Sequence, residues 1–293
     1  MADMFQVILH NLFLIGVLSL STLGITLTFK TANTANFAQA IMSTVGAFSF
    51  AYLLTRLEMG PWISLVGGVI LTFITGWAVD ALVVNKMKSG PIGRVMVTLG
   101  LILIVTEGIS MFFGMIPYTV PRFFDGNVIF TLAGTEFLVS QNALFIFGTS
   151  MTIIAAVFVA LYKTKWGLSV RATAANDVVA SMLGINTKRL TALSWGLSSA
   201  IAALAAIFLG SQQTNVNINM MAVVGTNSML AFVVGGYTSF YGPVVGAFIV
   251  PILLSILAMV SGLWANALLY IVVLLVILIK PMGIFGKETV EKV

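Results

Sequence analysis

Apolar stretches long enough to cross a membrane recur along the whole chain, and they restrict the folds available to it. About 20 helical residues span the roughly 30 Å hydrocarbon core of a bilayer, because each residue advances about 1.5 Å. Hydrophobic residues make up 59% of the chain, charged residues make up 8%, and the mean hydropathy is +1.09. Soluble domains carry about 25% charged residues, and disordered chains are poor in hydrophobic residues. The sequence therefore predicts an all-α polytopic integral membrane protein.

Nine stretches meet the length requirement for a membrane span. They are residues 7–29, 36–55, 62–84, 95–116, 140–162, 190–210, 220–236, 243–262 and 265–280. The glycines near 235–243 leave 220–262 open to two interpretations: two crossings, or a re-entrant hairpin. Together with a similar break at 30–40, they suggest inverted repeats around the fifth span. We expect about nine transmembrane segments in a single domain, 1–293, with broken or re-entrant segments.

The positions of lysine and arginine predict the orientation, because cytoplasmic loops are enriched in these residues. With the basic connection 163–189 placed on the cytoplasmic side, all of the 14 Lys and Arg residues except Arg56 and Arg122 fall on that side. The N-terminus then lies outside and the C-terminus in the cytoplasm. The first residues lack the basic region of a cleaved signal, so we expect the first apolar stretch to be retained.

The composition also excludes several kinds of functional site. With no cysteine and one histidine, the chain has no thiolate nucleophile and no cluster of histidine ligands for a metal. It lacks the Gly-x-x-x-x-Gly-Lys-Ser/Thr loop that holds ATP phosphates, and its loops leave no room for a soluble catalytic domain. We therefore expect no enzyme, no bound cofactor or metal, and no nucleic-acid partner.

The cytoplasmic connection 163–189 contains the pattern of a short helix. Asn176 is suited to the N-cap, and Asp177 places negative charge in the first turn. Gly184 is suited to the left-handed backbone conformation that ends a helix. The helix would carry one apolar face, made of Val178, Val179, Met182 and Leu183. A short amphipathic helix of this kind either lies on the lipid interface or docks into a groove of a partner.

Uncharged polar residues mark a possible route through the membrane. Asn36, Gln39, Ser43 and Thr44 share one face of a helix, where they either line a water-filled route or form interhelical hydrogen bonds. Gly235 and Gly236 indicate a broken backbone, which is tolerated at membrane depth only inside protein or along a cavity. The polar stretch 211–219 is either an ordered external loop or the lip of a pathway.

Two acidic residues lie in the predicted spans. A carboxylate inside the bilayer is costly, so we expect Glu107 to be a buried, hydrogen-bonded structural acid. The alternative is contact with a proton or solute, as in a stand-alone secondary transporter or channel that uses Glu107 for ion or proton coupling. Asp80 lies near the cytoplasmic end of its span, where we expect it to pair with Lys86 or Arg94.

Five ordered segments of the chain resemble those of branched-chain amino acid ABC-importer permeases. They are Arg171-Ala172 with Asn176-Asp177, Ala180, Gly184-Ile185-Asn186 and Arg189; 36–40 with 46–48; 97–100; 232–236 with 242–246; and 280–286. Each segment alone is a weak signal, but the five occur in the family order and cover nearly the whole chain. The length resembles that of the H-type membrane subunit.

The resemblance implies a heteromeric importer in the cell inner membrane, with the N-terminus of this chain in the periplasm. The implied partners are a second permease subunit (M-type or a homologous copy), two cytoplasmic ATP-binding subunits that use the ATP, a periplasmic solute-binding protein, and membrane lipid. This chain would form half of a pathway for branched-chain or related amino acids, urea or short amides. The implied ATPase-coupling residues are Arg171, Ala172, Asn176, Asp177, Ala180, Gly184 and Ile185.

Overall fold

The fold comes from a computed structural model that describes residues 6–9, 11–87, 90–132 and 135–286. The long helices are α1 (Leu12–Ala32), α2 (Gln39–Thr55), α3 (Pro61–Leu82), α4 (Pro91–Phe113), α5 (Gln141–Lys163), α8 (Thr187–Gln213), α9 (Ala222–Gly235), α10 (Gly242–Ser261) and α11 (Ala265–Ile279). Two shorter helices, α6 (Lys165–Ala175) and α7 (Asp177–Met182), follow α5. The basic residues Lys88, Lys287 and Lys292, which contribute to the predicted charge bias, lie outside the described residues.

Six stretches of the described chain are helical, long and apolar enough to cross a membrane. One of these, Gly242–Ile279, contains both α10 and α11, joined by a 3₁₀ turn at Gly262–Trp264. Two further apolar helices are shorter: α2 has 17 residues and α9 has 14. The predicted class of helical membrane protein is confirmed at this level, and the two short helices correspond to the two places where the sequence suggests a broken backbone.

Two long helices, α1 and α8, occupy the centre of the molecule. Their apolar windows are 78% and 83% buried, whereas those of the other candidate spans are between 17% and 28% buried. Small residues allow this close packing in lipid. A Cβ at Gly76 of α3 would lie 2.7 Å from Trp195 O of α8, so the two backbones approach too closely for a larger residue.

The order of elements in α1–α4 recurs in α8–α11. Each set begins with a central helix that ends at a left-handed residue, Asn33 (φ 47°) or Thr214 (φ 54°). A linker, a short apolar helix and a helix with proline in its first turn follow in both sets. The central helices are exchanged: α1 packs on α9 and α10, and α8 packs on α2 and α3.

Hydrogen bonds between distant residues fix the direction of the last helices. Lys30 Nζ at the end of α1 donates to Thr238 O in the turn between α9 and α10. Asn11 Nδ2, just before α1, donates to Ser255 Oγ of α10 at 2.8 Å. Therefore α10 runs antiparallel to α1, and the segment 220–262 forms two helices joined by a tight turn beside Lys30.

The connection after α4 forms strands, which the all-α prediction did not include. The antiparallel hairpin of β2 (Asn127–Leu132) and β3 (Thr135–Ser140) contains residues with high strand propensity. A second pair joins β1 (Tyr118–Thr119) to β4 (Asn215–Val216), so the connection after α4 is tied to the linker between α8 and α9. Both pairs lie at the end of the molecule opposite α6 and α7.

Candidate functional site

A cavity of about 370 Å³ lies between α2, α4, α9 and the middle of α1, and we call it the central cavity. Its described lining is apolar with seven polar side chains: Ser21, Asn36, Gln39, Thr44, Thr106, Asn219 and Thr226. None of the described lining residues is charged. Ser21 Oγ is buried and has no hydrogen-bond partner within the described residues. The volume lies in the range of small-molecule sites.

Three of the six pathway candidates lie on the central cavity: Asn36, Gln39 and Thr44. Ser43 does not line it; its side chain is buried, and its hydroxyl donates to Ala40 O of the same helix. Gly235 and Gly236 do not line it either. They form the tight turn at the Lys30 end of α1, where Gly236 adopts φ 101° and packs against Gly283 and the backbone at 286.

Several cavity residues were missed by the sequence interpretation. Ser21 lies inside an apolar span with no pattern to distinguish it, and Thr106 precedes the more conspicuous Glu107. Asn219 belongs to the polar stretch 211–219, and its place on the cavity favours the interpretation of that stretch as a lip. Gly225 lets the start of α9 approach α2, since a Cβ there would lie 2.5 Å from Ala40 Cβ.

A layer of buried hydrogen bonds adjoins the central cavity on the side of α1's C-terminal end. Gln39 Nε2 donates to Ser198 O at 3.1 Å and to Ser198 Oγ at 3.0 Å, and Ser198 Oγ donates to Gly24 O at 2.6 Å. Asn36 Nδ2 donates to Gln39 Oε1 at 3.0 Å. We call these four residues the Gln39 layer. It joins the first turn of α2 to both central helices about halfway along α8.

A second cavity of about 860 Å³, the inner cavity, lies on the other side of the segment 33–38. It is bounded by the end of α1, the turn 84–87, the start of α4, the α6–α7 junction and the start of α8. In contrast to the central cavity, it is lined by charged residues: Lys30, Asp80, Lys86, Arg94, Asp177 and Lys188. Residues 33–38 therefore separate an uncharged cavity from a charged one.

Among the described residues, Asp80 makes no direct ion pair with Lys86 or Arg94, although the Arg94 charge acts on its carboxylate. Asp80 Oδ2 accepts a hydrogen bond from Asn85 Nδ2, which also donates to Lys188 O at 3.0 Å. Arg94 Nη1 donates to Ala32 O at 3.2 Å and so caps the end of α1. These contacts connect the C-terminal ends of α1 and α3 with the N-terminal ends of α4 and α8 around the inner cavity.

The short helix in 163–189 is confirmed as α7, with the predicted caps. Asn176 Oδ1 accepts from Val179 N at 3.0 Å, and Gly184 follows the helix with φ 86°. Its apolar side chains are exposed: Val178, Val179, Met182 and Leu183 are 56%, 49%, 79% and 76% exposed, and Val178 also lines the inner cavity. Ala180 is the buried residue of α7.

The remaining coupling candidates lie in the same region. Asn176 N donates to Ala172 O at 3.1 Å, and Ile185 N donates to Ala180 O at 3.1 Å. Arg171 lies over the Tyr162 ring at 5.0 Å, and Asp177 lines the inner cavity. All seven candidates therefore surround α7, at the end of the molecule that carries the inner cavity.

Glu107 differs from the sequence expectation, because it is exposed and not buried. It lies on the face of α4 that is turned away from the rest of the chain, between Leu103 and Met111. It makes no hydrogen bond to the residues described here. Burial depends on which other helices cover a face, and the sequence alone does not give that information.

Comparison with known proteins identifies relatives of this chain. The family described as "Branched-chain amino acid transport system / permease component" matches residues 7–279. A probable branched-chain amino acid transport permease protein LivH from Methanocaldococcus jannaschii is 28% identical over 93% of this chain and 90% of its own. The high-affinity branched-chain amino acid transport permeases LivH of Salmonella typhimurium and BraD of Pseudomonas aeruginosa are 24% and 22% identical. Each alignment covers at least 97% of both chains. No solved structure matches the chain. The resemblance found in the sequence is confirmed, and the chain belongs to the branched-chain amino acid transport permease family.

Proposed function

We propose that this chain is a permease subunit of an ATP-binding-cassette importer, and that it forms half of the pathway for branched-chain or related amino acids. The observation that carries the proposal is the pair of cavities separated by residues 33–38. A transporter must expose its solute to one side of the membrane at a time. Two cavities with a hydrogen-bonded layer between them provide the parts that such alternation requires.

The lining of the central cavity supports a zwitterionic or neutral polar solute with an apolar side chain. Amide and hydroxyl groups such as Asn36, Gln39 and Thr106 can hydrogen-bond the polar end of such a solute, and the isoleucine and methionine side chains suit its apolar part. Because the described lining has no fixed charge, no strong electrostatic attraction would hold the solute in transit. Urea and short amides fit the same chemistry.

Helix α7 supports coupling to two cytoplasmic ATP-binding subunits. Its exposed apolar side chains would dock into a groove on an ATPase, while Asn176, Asp177 and Val178 at its start border the inner cavity. Movement of the docked helix would therefore change the shape of the inner cavity. ATP is used by the partners, and a second permease subunit and a periplasmic solute-binding protein complete the complex.

The membrane arrangement we propose has nine crossings, with α2 and α9 crossing as short helices that meet the central cavity. Under it, α1–α4 and α8–α11 are inverted repeats around α5, because α1 and α8 begin on opposite sides. The complex resides in the inner membrane, with the N-terminus of this chain periplasmic and the C-terminus cytoplasmic. The basic residues around the inner cavity, including Lys30 and Arg94, agree with a cytoplasmic location for that cavity.

The first experiment is affinity purification of the tagged chain from its native membrane in mild detergent, followed by mass spectrometry. We expect a second permease and two kinds or copies of a subunit with the ATP-binding motif. Recovery of the chain alone would contradict the proposal and favour a stand-alone transporter.

The coupling step is tested with Gly184→Val and Asp177→Lys in reconstituted complexes. Gly184 has positive φ, whereas Gly90 on the same side has φ −64° and open space around it, so Gly90→Val is the matched control. We expect both test variants to insert normally and to lose solute uptake, while the control retains it. Unchanged uptake in the test variants would rule out coupling through α7.

A further inference from the structure

The outward face of α4 carries an acidic residue where a lipid-facing helix would be apolar. The face is a stripe at helical spacing, Met96, Gly100, Leu103, Glu107 and Met111, which we call the α4 stripe. Leu103 and Met111 are 70% and 83% exposed. In this arrangement the Glu107 carboxylate lies between two exposed apolar side chains.

The depth of Glu107 makes lipid an unfavourable neighbour. The residue lies six positions before Phe113, the last residue of α4, or about 9 Å along the helix at 1.5 Å per residue. A carboxylate within the hydrocarbon core faces a bundle interior, a cavity or a polar partner. Since nothing in the described chain binds Glu107, the polar partner has to come from another molecule.

The α4 stripe also borders the central cavity. Ile102 and Thr106 line the cavity, and the stripe lies next to them around the same helix. Gly100 and Gly108 leave open space where their side chains would be, whereas Gly24, Gly76 and Gly196 on packed helices face another helix closely. The shape of α4 therefore permits close approach of an additional helix beside the cavity.

If the partner shares this fold, α11 shows which hydrogen-bond donors the partner's last helix would present. Asn266 and Tyr270 are exposed, lie four residues apart on one face of α11, and have donor groups. Tyr270 lies five positions after Ala265, or about 8 Å from the outer end of α11, close to the depth of Glu107 in α4. A twofold axis along the membrane normal preserves depth, so it would bring such donors level with the carboxylate.

We propose that the α4 stripe is the contact surface for a second permease subunit of the same fold, and that Glu107 accepts hydrogen bonds from donors on that subunit's last membrane helix. The inference rests on the proposed function, which requires a second permease. It assigns Glu107 to subunit assembly and closure of the cavity wall, and not to ion coupling.

The test places the photo-crosslinking residue p-benzoylphenylalanine at Leu103 or Met111 in the complete complex. Val66 and Ile70 on the exposed face of α3 are the controls, with 53% and 52% of their side chains exposed. After irradiation in native membranes, mass spectrometry identifies the adducts. We expect Leu103 and Met111 to link to the last membrane helix of the second permease, and the controls to link to lipid.

Lipid adducts alone at Leu103 and Met111, in a complex that retains the second permease, would overturn this inference and leave the proposed function intact. Loss of the second permease from all preparations would contradict both.

A substitution series gives an independent readout. Glu107→Gln keeps hydrogen-bonding capacity, whereas Glu107→Leu removes it at similar size. We expect Glu107→Leu to weaken recovery of the second permease by roughly three- to fifteenfold, the range of one interhelical hydrogen bond in lipid, and Glu107→Gln to retain it. Equal recovery with both variants would contradict the role of Glu107.

Discussion

Gln39 is the residue through which the separation of the two cavities can be tested most directly. Its amide makes two hydrogen bonds to Ser198, at 3.1 and 3.0 Å, across the boundary between α2 and α8. Gln39→Leu removes both bonds, and with them the acceptor of Asn36 Nδ2, while the Ser198 hydroxyl still donates to Gly24 O. An interhelical hydrogen bond in a membrane is worth about 0.6 kcal/mol on average and up to about 1.7.

The two bonds together therefore stabilise the closed layer by about 1–3 kcal/mol, and their loss raises the open population by about 5- to 150-fold. The absence of cysteine from the chain provides the assay. A single cysteine introduced as Thr44→Cys lines the central cavity, and a membrane-impermeant thiol reagent is applied from the cytoplasmic side of inside-out vesicles. Gln39→Leu should accelerate its modification by that factor.

Gln212→Leu is the matched control, because Gln212 makes a side-chain bond to Asn142 at the opposite end of α8. It should leave the modification rate unchanged. Ser198→Ala should accelerate modification, and the double variant should add little, since both residues act through one contact. The same rate in Gln39→Leu and in the parent, or equal acceleration by Gln212→Leu, would refute the assignment of a gate to the Gln39 layer.

Three further outcomes follow from the packing. Gly76→Ala should destabilise the protein by about 1–3 kcal/mol, because its new Cβ would lie 2.7 Å from Trp195 O. Thermal unfolding followed by size-exclusion chromatography measures this effect, and Gly148→Ala, whose Cβ would meet open space, should show none. Met182→Ser should reduce co-purification of the ATPases by about tenfold, because Met182 is 79% exposed and its burial against the partner is worth about 1.5 kcal/mol. Leu168→Ser, which replaces an exposed apolar residue on α6, is the control and should leave co-purification unchanged. Asn85→Leu should destabilise the protein by about 1–3 kcal/mol, because it leaves the buried Asp80 carboxylate without that donor, whereas Asn85→Asp should be worse through repulsion.

Local signals in the sequence predict local structure well in this protein. Asn176 and Gly184 have the side-chain chemistry and backbone freedom that caps require, and both occupy the cap positions of α7. The run of apolar residues locates the long helices, because lipid requires every backbone group to be paired within the helix. The strands after α4 were missed because the connection 114–140 is interrupted by proline, glycine and charged residues and contains no apolar run of membrane length, and its β propensity was outweighed by the all-α pattern around it.

Properties that depend on which helix covers which were harder to predict. Ser43 and Thr44 are neighbours on the same helix, yet only Thr44 lines the central cavity. Gly235 and Gly236 indicate a broken backbone correctly, but the break serves to pack the chain against residues 283–286. The positions of these residues depend on the exchange of α1 and α8 between the two halves, which involves contacts more than 150 residues apart, such as Gln39 with Ser198.

The exchange of central helices gives α1 and α8, whose sequences look ordinary, a central place in the proposed mechanism. A helix that belongs by sequence to one half and packs against the other cannot move with either half alone. Gly24 and Ser198 lie on these two helices and meet at the Gln39 layer, so a shift of α2 relative to α8 must break or remake those bonds. The inner ends of the same helices contact the inner cavity through Lys30 and Lys188, beside Asp177 of α7. A displacement of α7 would therefore reach the Gln39 layer, which lies between the two cavities, through the first turns of α8.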